Sequence, residues 1–108
     1  MRIYVAGPYT GDEERNVERA AFVGGMLALR GHTPFVPHLF HYVDEAIHAC
    51  GYNKIPYEEW MRQDLEWLRQ CEAVFRMAGR SPGADREVAL AEELGLPVYH
   101  CLTEVPRI

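Results

Sequence analysis

The stretch RIYVAGPYTGDEERNVERAAFVGGMLALRGHTPFVP, residues 2–37, decides the fold. Arg2 to Ala6 is a short apolar run stopped by Gly7-Pro8, and it reads as a buried strand. Asp12 to Arg30 carries acids at its start, apolar residues through its body and Arg30-Gly31 at its end. That is the order of a helix closed by a glycine. Thr33 to Pro37 is a second short strand bounded by prolines. The alternation then repeats: a helix over Tyr57 to Cys71, a strand over Ala73 to Met77, a helix over Ala84 to Leu94 closed by Gly95, and a strand over Pro97 to Leu102. Only Leu39 to Tyr52 is ambiguous, with a helix-like patch at Val43, Ala46 and Ile47 in a His- and Tyr-rich region. Strands alternating with helices predict an α/β, doubly wound (Rossmann/flavodoxin-like) parallel sheet of four to five strands, with helices on both faces. Ligands of such sheets sit outside the carboxyl ends of the strands. Here that edge holds Gly7-Pro8-Tyr9-Thr10, Pro37-His38 and Gly79-Arg80-Ser81-Pro82-Gly83.

The 108 residues fit one globular domain, 1–108, at the usual ~100–200 residues per domain. Eleven Lys and Arg against 16 Asp and Glu give a net charge of −5. So acidic a chain is a poor coat for a nucleic-acid polymer, because that affinity rests on neutralising phosphates. The longest apolar run, Ala20 to Leu29, falls short of the ~20 residues that span a bilayer, so no membrane partner is expected. No basic segment leads into an apolar one with a cleavage site, and Cys50, Cys71 and Cys101 form no Cys-x-x-Cys pair. Both point to a cytoplasmic protein with free thiols.

Two carboxylates stand on the wrong side of their helices. At ~100° per residue, Trp67, Trp60, Cys71, Asp64, Leu68, Met61 and Leu65 share one arc of about 160°. Asp64 lies in the middle of this apolar stripe. In the last helix Leu90, Leu94, Glu87, Ala91, Ala84 and Val88 share an arc with Glu87 near its centre. A carboxylate carried into a core neutralises, pairs or serves a site. Either acid alone has an ordinary explanation: Glu87 by the helix dipole of a first turn, Asp64 by a Tyr hydroxyl or a loop Arg. Two of them, beside a glycine-containing loop at the ligand edge, favour a site.

Paired carboxylates suit glycoside-type chemistry, one attacking an anomeric carbon while the other moves a proton. Competing patterns are weaker. His38-x-x-His41 lies near Asp44 and His48 but lacks a Cys pair or a clear helix, so no metal is expected. With neither Gly-x-Gly-x-x-Gly nor a P-loop lysine, no dinucleotide or other cofactor is expected either.

The residues now in view carry a resemblance. The chain resembles the nucleoside 2-deoxyribosyltransferase-like superfamily and, within it, small phage and bacterial proteins grouped as a domain of unknown function. The shared text is Ile3 to Gly11, Asn16, Ala21-Phe22, Leu29 to His32, Met61-Arg62-Gln63-Asp64-Leu65-Glu66-Trp67-Leu68, and Ser81-x-Gly83-Ala84-x-x-Glu87 before Leu94-Gly95-Leu96-Pro97. In the deoxyribosyltransferases and 2′-deoxynucleoside 5′-monophosphate N-glycosidases of this superfamily, the Glu of the final block is the nucleophile. The resemblance therefore implies that Glu87 attacks C1′, Asp64 handles the leaving base's proton and Tyr4 orients the nucleophile. It implies that His38 lies near the base and that Gly7, Tyr9, Ser81 and Gly83 line the substrate site. Ser81 is similar to the monophosphate glycosidases, whose Ser contacts phosphate, though a Ser there also suits a helix N-cap. Pro8 and Thr10 depart from the Ser and Arg that those enzymes carry in the first loop. The resemblance also implies a homodimer or higher homo-oligomer, and the Trp60–Trp67 edge is large for a monomer to bury.

The leading expectation is an N-glycosidase or deoxyribosyltransferase-like enzyme acting on a small-molecule nucleoside or nucleotide, hydrolysis being slightly favoured. The alternative is a nucleotide- or sugar-nucleotide-binding module that keeps the pocket without efficient turnover. A third reading makes Phe40 to Tyr57 an exposed interaction surface. For Trp60 and Trp67 a structural role is preferred over ligand stacking.

Overall fold

A computed structural model describes residues 1–107. Its strands are β1 (Arg2–Ala6), β2 (Thr33–Phe35), β3 (Ala73–Arg76) and β4 (Val98–Tyr99). Its helices are α1 (Glu13–Leu29), α2 (His41–Ala49), α3 (Tyr57–Leu68) and α4 (Pro82–Glu93). Among the described residues the four strands form one sheet in the order β2-β1-β3-β4, and every pairing is parallel. The expected doubly wound α/β architecture is therefore present, with four strands.

The period-2 alternation of the two central strands divides the core. Ile3 and Val5 of β1 and Ala73 and Phe75 of β3 face α1, meeting Ala20 and Leu27. Tyr4, Ala6 and Val74 point the other way, onto Leu68 of α3 and Ala84, Leu90 and Ala91 of α4. Helices thus cover both faces, which is why the central strands read as unbroken apolar runs.

Helix ends follow local chemistry. The Asp12 side chain caps α1 by accepting from the Arg15 amide at 3.4 Å. At the other end Gly31 takes φ +92°, and the amides of Gly31 and His32 return to the carbonyls of Ala28 and Leu27. That is a Schellman closure, for which a left-handed glycine is the cheapest residue.

Several expected bounds shift. The segment 33–37 stops at Phe35 because Pro37 opens a 3-10 turn, Pro37–Phe40, which leads directly into α2. The helix-like patch at Val43, Ala46 and Ile47 does lie on α2, although no residue of that helix is buried. The last strand keeps only Val98 and Tyr99, and α3 ends at Leu68, leaving Cys71 beyond it. The last helix starts earlier than expected, with Ser81 as N-cap and Pro82 in the first helical position, a place that suits proline's fixed φ and missing N–H. Glu87 is consequently two residues deeper than expected, past the first turn, and Asp85 is the acid of the first turn. The helix dipole therefore does not account for Glu87.

Candidate active site

The strand order reverses direction between β1 and β3, and a cleft of about 400 Å³ opens there, outside the carboxyl ends of the strands. Seven of the eight residues expected at the site line it: Glu87, Asp64, Gly7, Tyr9, His38, Ser81 and Gly83. The eighth, Tyr4, is fully buried behind the wall and donates its hydroxyl hydrogen bond to Glu87.

Glu87 is only 5% exposed. Burial pushes its carboxyl up to about 8, the nearby Asp64 charge adds to this, and the Tyr4 hydrogen bond opposes it. Tyr4 is itself held well above its ordinary range, by burial first and by Glu87 second. Its ring stacks on Phe35 with centroids 5.8 Å apart, so the hydroxyl that grips Glu87 is fixed by the core. Asp64 is half-buried on α3, and burial raises it to about 7. Among the described residues it makes no side-chain hydrogen bond or ion pair, so neither a Tyr hydroxyl nor a loop Arg explains its position. Two carboxylates thus face one cleft with acidities near neutrality, a property concentrated at functional sites.

The other lining residues divide by role. His38 is buried, its Nε2 lies 3.0 Å from the Pro8 carbonyl, and its Nδ1 has no partner among the described residues. Donation from Nε2 leaves Nδ1 a lone-pair acceptor, and burial lowers the imidazole's pKa, favouring this neutral form. Ser81 caps α4, its Oγ accepting from the Ala84 amide at 3.1 Å, while its own O–H remains free to donate. Ser81→Ala is expected to cost about 1 kcal/mol, lowering Tm by roughly 5 °C in a thermal unfolding experiment. The structural N-cap and the ligand edge therefore coincide in one residue.

Sequence reasoning passed over part of the wall. Beside the expected Asp64, Tyr57, Trp60 and Met61 also face the cleft. Their i, i+3, i+4, i+7 spacing is the signal that would have found them, since the stripe read as core turns from cleft to sheet along the helix and reaches the sheet at Leu68. Trp60 also donates its indole N–H to Asp44 at 2.8 Å. Trp67 is 49% exposed and stacks on Phe35 at 5.0 Å, away from the cleft. The segment 40–57 is shared: Phe40, His41, Asp44, Lys54 and Ile55 line the cleft, while Tyr42 and Tyr52 are exposed. Among the described residues no three His, Cys, Asp or Glu are gathered to hold a metal ion, and no helix is long and apolar enough to cross a membrane.

Sheet order and cleft position are those of a doubly wound α/β fold with its ligand edge at the switch point between β1 and β3. The chain superposes on a 2-deoxyribosyltransferase from Bacillus psychrosaccharolyticus with a TM-score of 0.64 and 22% identity, covering 91% of this chain and 69% of that one. A 2-desoxiribosyltransferase from Leishmania mexicana gives a TM-score of 0.64 and 17% identity, over 90% of this chain and 61% of that one. Residues 1–101 match the family described as Domain of unknown function (DUF7768), and the chain belongs to that family. No curated protein matches it.

Proposed function

We propose that the chain cleaves the N-glycosidic bond of a nucleoside or nucleoside 5′-monophosphate through a covalent intermediate on Glu87. The observation that carries this reading is the buried Glu87 carboxyl, held by the Tyr4 hydroxyl in the wall of a cleft that also contains Asp64. Ionised Glu87 attacks C1′, the C1′–N bond breaks, and Asp64 gives its proton to the departing base. Water or a second base then attacks C1′, its proton passes to Asp64, and Glu87 leaves. Tyr4 orients Glu87, while Gly7, Tyr9, His38, Ser81 and Gly83 hold the substrate. His38 Nδ1, buried and unpaired, suits an N–H of the base. A homo-oligomer completes the reading, with the half-exposed Trp67 covered by another copy. The test is chromatography of free base after incubation with ribo- and deoxyribonucleosides and their 5′-monophosphates. Release from any member supports the reading, and silence across the panel overturns it for those substrates.

Acidity gives this mechanism a pH signature. Glu87 must be ionised, so the rate rises with pH through about 8. Asp64 must be protonated, so the rate falls above about 7. Initial rates between pH 5 and 10 should form a narrow bell with its maximum between those values, because the productive microstate is a minor one. Asp64→Asn should lower the peak about 100-fold and remove the alkaline limb.

One observation favours a second reading. Burial keeps much of Glu87 protonated at neutral pH, and a protonated carboxyl binds but does not attack. A nucleotide- or sugar-nucleotide-binding module on the same fold would bind ligand without releasing base.

A further inference from the structure

A second cluster of titratable groups lies in the cleft wall, independent of Glu87, Tyr4 and Asp64. The Tyr9 hydroxyl is 2.7 Å from His41 Nδ1, and His41 Nε2 is 2.7 Å from a Glu45 carboxylate oxygen. His41 is 11% exposed in its side chain, and both of its nitrogens are engaged. The Glu45 carboxylate only accepts, so it fixes the imidazole proton on Nε2 and leaves Nδ1 as the acceptor of the Tyr9 proton. Tyr9 is positioned from the other side as well, since Asn16 Nδ2 donates to its carbonyl at 3.0 Å.

This order has a consequence for what Tyr9 offers a ligand. Its one proton is spent on His41, so its oxygen presents lone pairs alone. The surroundings reinforce this: burial first, then hydrogen bonding to Glu13 and the charges of Glu13, Asp44 and Glu45, hold the Tyr9 hydroxyl un-ionised, and Glu13, itself 3.7 Å from His41, is a second acceptor for the same proton. Asp44 is fixed there by the Ile55 amide at 3.1 Å and the Trp60 indole at 2.8 Å. A neutral O–H donor meets a built acceptor at this wall. A phosphate brings only acceptors and negative charge to a place already rich in both.

We propose that Tyr9, aligned by His41 and Glu45, is a specificity-determining residue that accepts a hydrogen bond from a free sugar hydroxyl and turns away a phosphate at the same position. The inference rests on the nucleoside reading above and narrows it to the unphosphorylated substrate. Tyr9 touches the ligand, whereas His41 and Glu45 are positioning residues that act through it.

Calorimetric titration and base release would be measured on the full chain with 2′-deoxyadenosine and 2′-deoxycytidine, their 2′,5′- and 2′,3′-dideoxy analogues and their 5′-monophosphates. The proteins compared are the natural chain, Tyr9→Phe, His41→Leu and His41→Asn. The natural chain is expected to prefer a parent nucleoside over one dideoxy analogue by about tenfold, one neutral hydrogen bond, and to bind the monophosphate most weakly. In Tyr9→Phe that ratio falls to about one, and His41→Leu follows it. His41→Asn, whose carbonyl can take the Tyr9 proton, restores the ratio. A merely structural role would lower all ligands alike and leave the ratio intact, which overturns the proposal. Tighter binding of the monophosphate than of the nucleoside, or no binding of either series, overturns it too. Selective binding with no base released leaves the proposal standing and overturns the glycosidic reading instead.

Discussion

Glu87→Gln is expected to lower base release by about 10³-fold or more while ligand affinity stays within a few-fold. Gln matches Glu in shape, and its carbonyl oxygen still accepts from Tyr4, so the cleft keeps its form and loses the proposed nucleophile. The same substitution is expected to stabilise the protein in alkaline solution. Glu87 titrates near 8 in the folded chain against an ordinary 4.5. Between those values the folded state holds a proton that the unfolded chain has released. Stability from this group is therefore complete below about 4.5 and is lost as pH rises through about 8. Gln carries no such slope, so its advantage at pH 9 should be on the order of a few kcal/mol. Denaturant unfolding at pH 5 and pH 9 checks this. Undiminished turnover would remove Glu87 from the mechanism, and parallel pH slopes would show that its burial carries no cost.

Gly7→Ala should act through packing instead. A Cβ at Gly7 would stand 2.8 Å from Met77 Cβ and 3.1 Å from its sulfur. The sulfur can move, but the Cβ is anchored to a backbone whose amide donates to Ala6 at 2.8 Å. Overpacking of this kind costs about 2 kcal/mol, so Tm should fall by roughly 10 °C. Met77→Ala added to Gly7→Ala should give little relief, because it retains the offending Cβ, whereas Met77→Gly removes the clash. Relief by Met77→Ala would mean that the thioether alone was in the way. Gly7 thus keeps the β1 loop close to the end of β3, and the cleft floor depends on that approach.

The fold was legible because its central strands and long helix carry their information locally. Ile3 and Val5 alternate with Tyr4 and Ala6 across a sheet buried on both faces, and α1 has an acidic start and a glycine stop. The candidate site was legible through two acids on apolar stripes, both of which line the cleft, since a carboxylate at the centre of such a stripe contradicts its neighbours. What escaped notice lacked that contradiction. The α2 helix packs no residue into the core, so no carboxylate or imidazole on it stands out against a buried stripe. The link from Tyr9 to His41 joins residues 32 positions apart and exists only after folding. The beginning of α4 was misjudged because Ser81-Pro82-Gly83 has loop composition, although Ser and Pro are also a natural helix start.

The edge strand β2 has one more consequence. The Thr33 amide donates to Met1 at 2.9 Å, so Thr33 turns its main chain inward to β1. Alternation then turns Pro34 outward, where a residue without an N–H sits midway along the open margin of the sheet. A neighbouring molecule seeking to extend the sheet into a fibre would find no donor at the centre of that three-residue margin. The parallel ladder is thereby interrupted against strangers on that side.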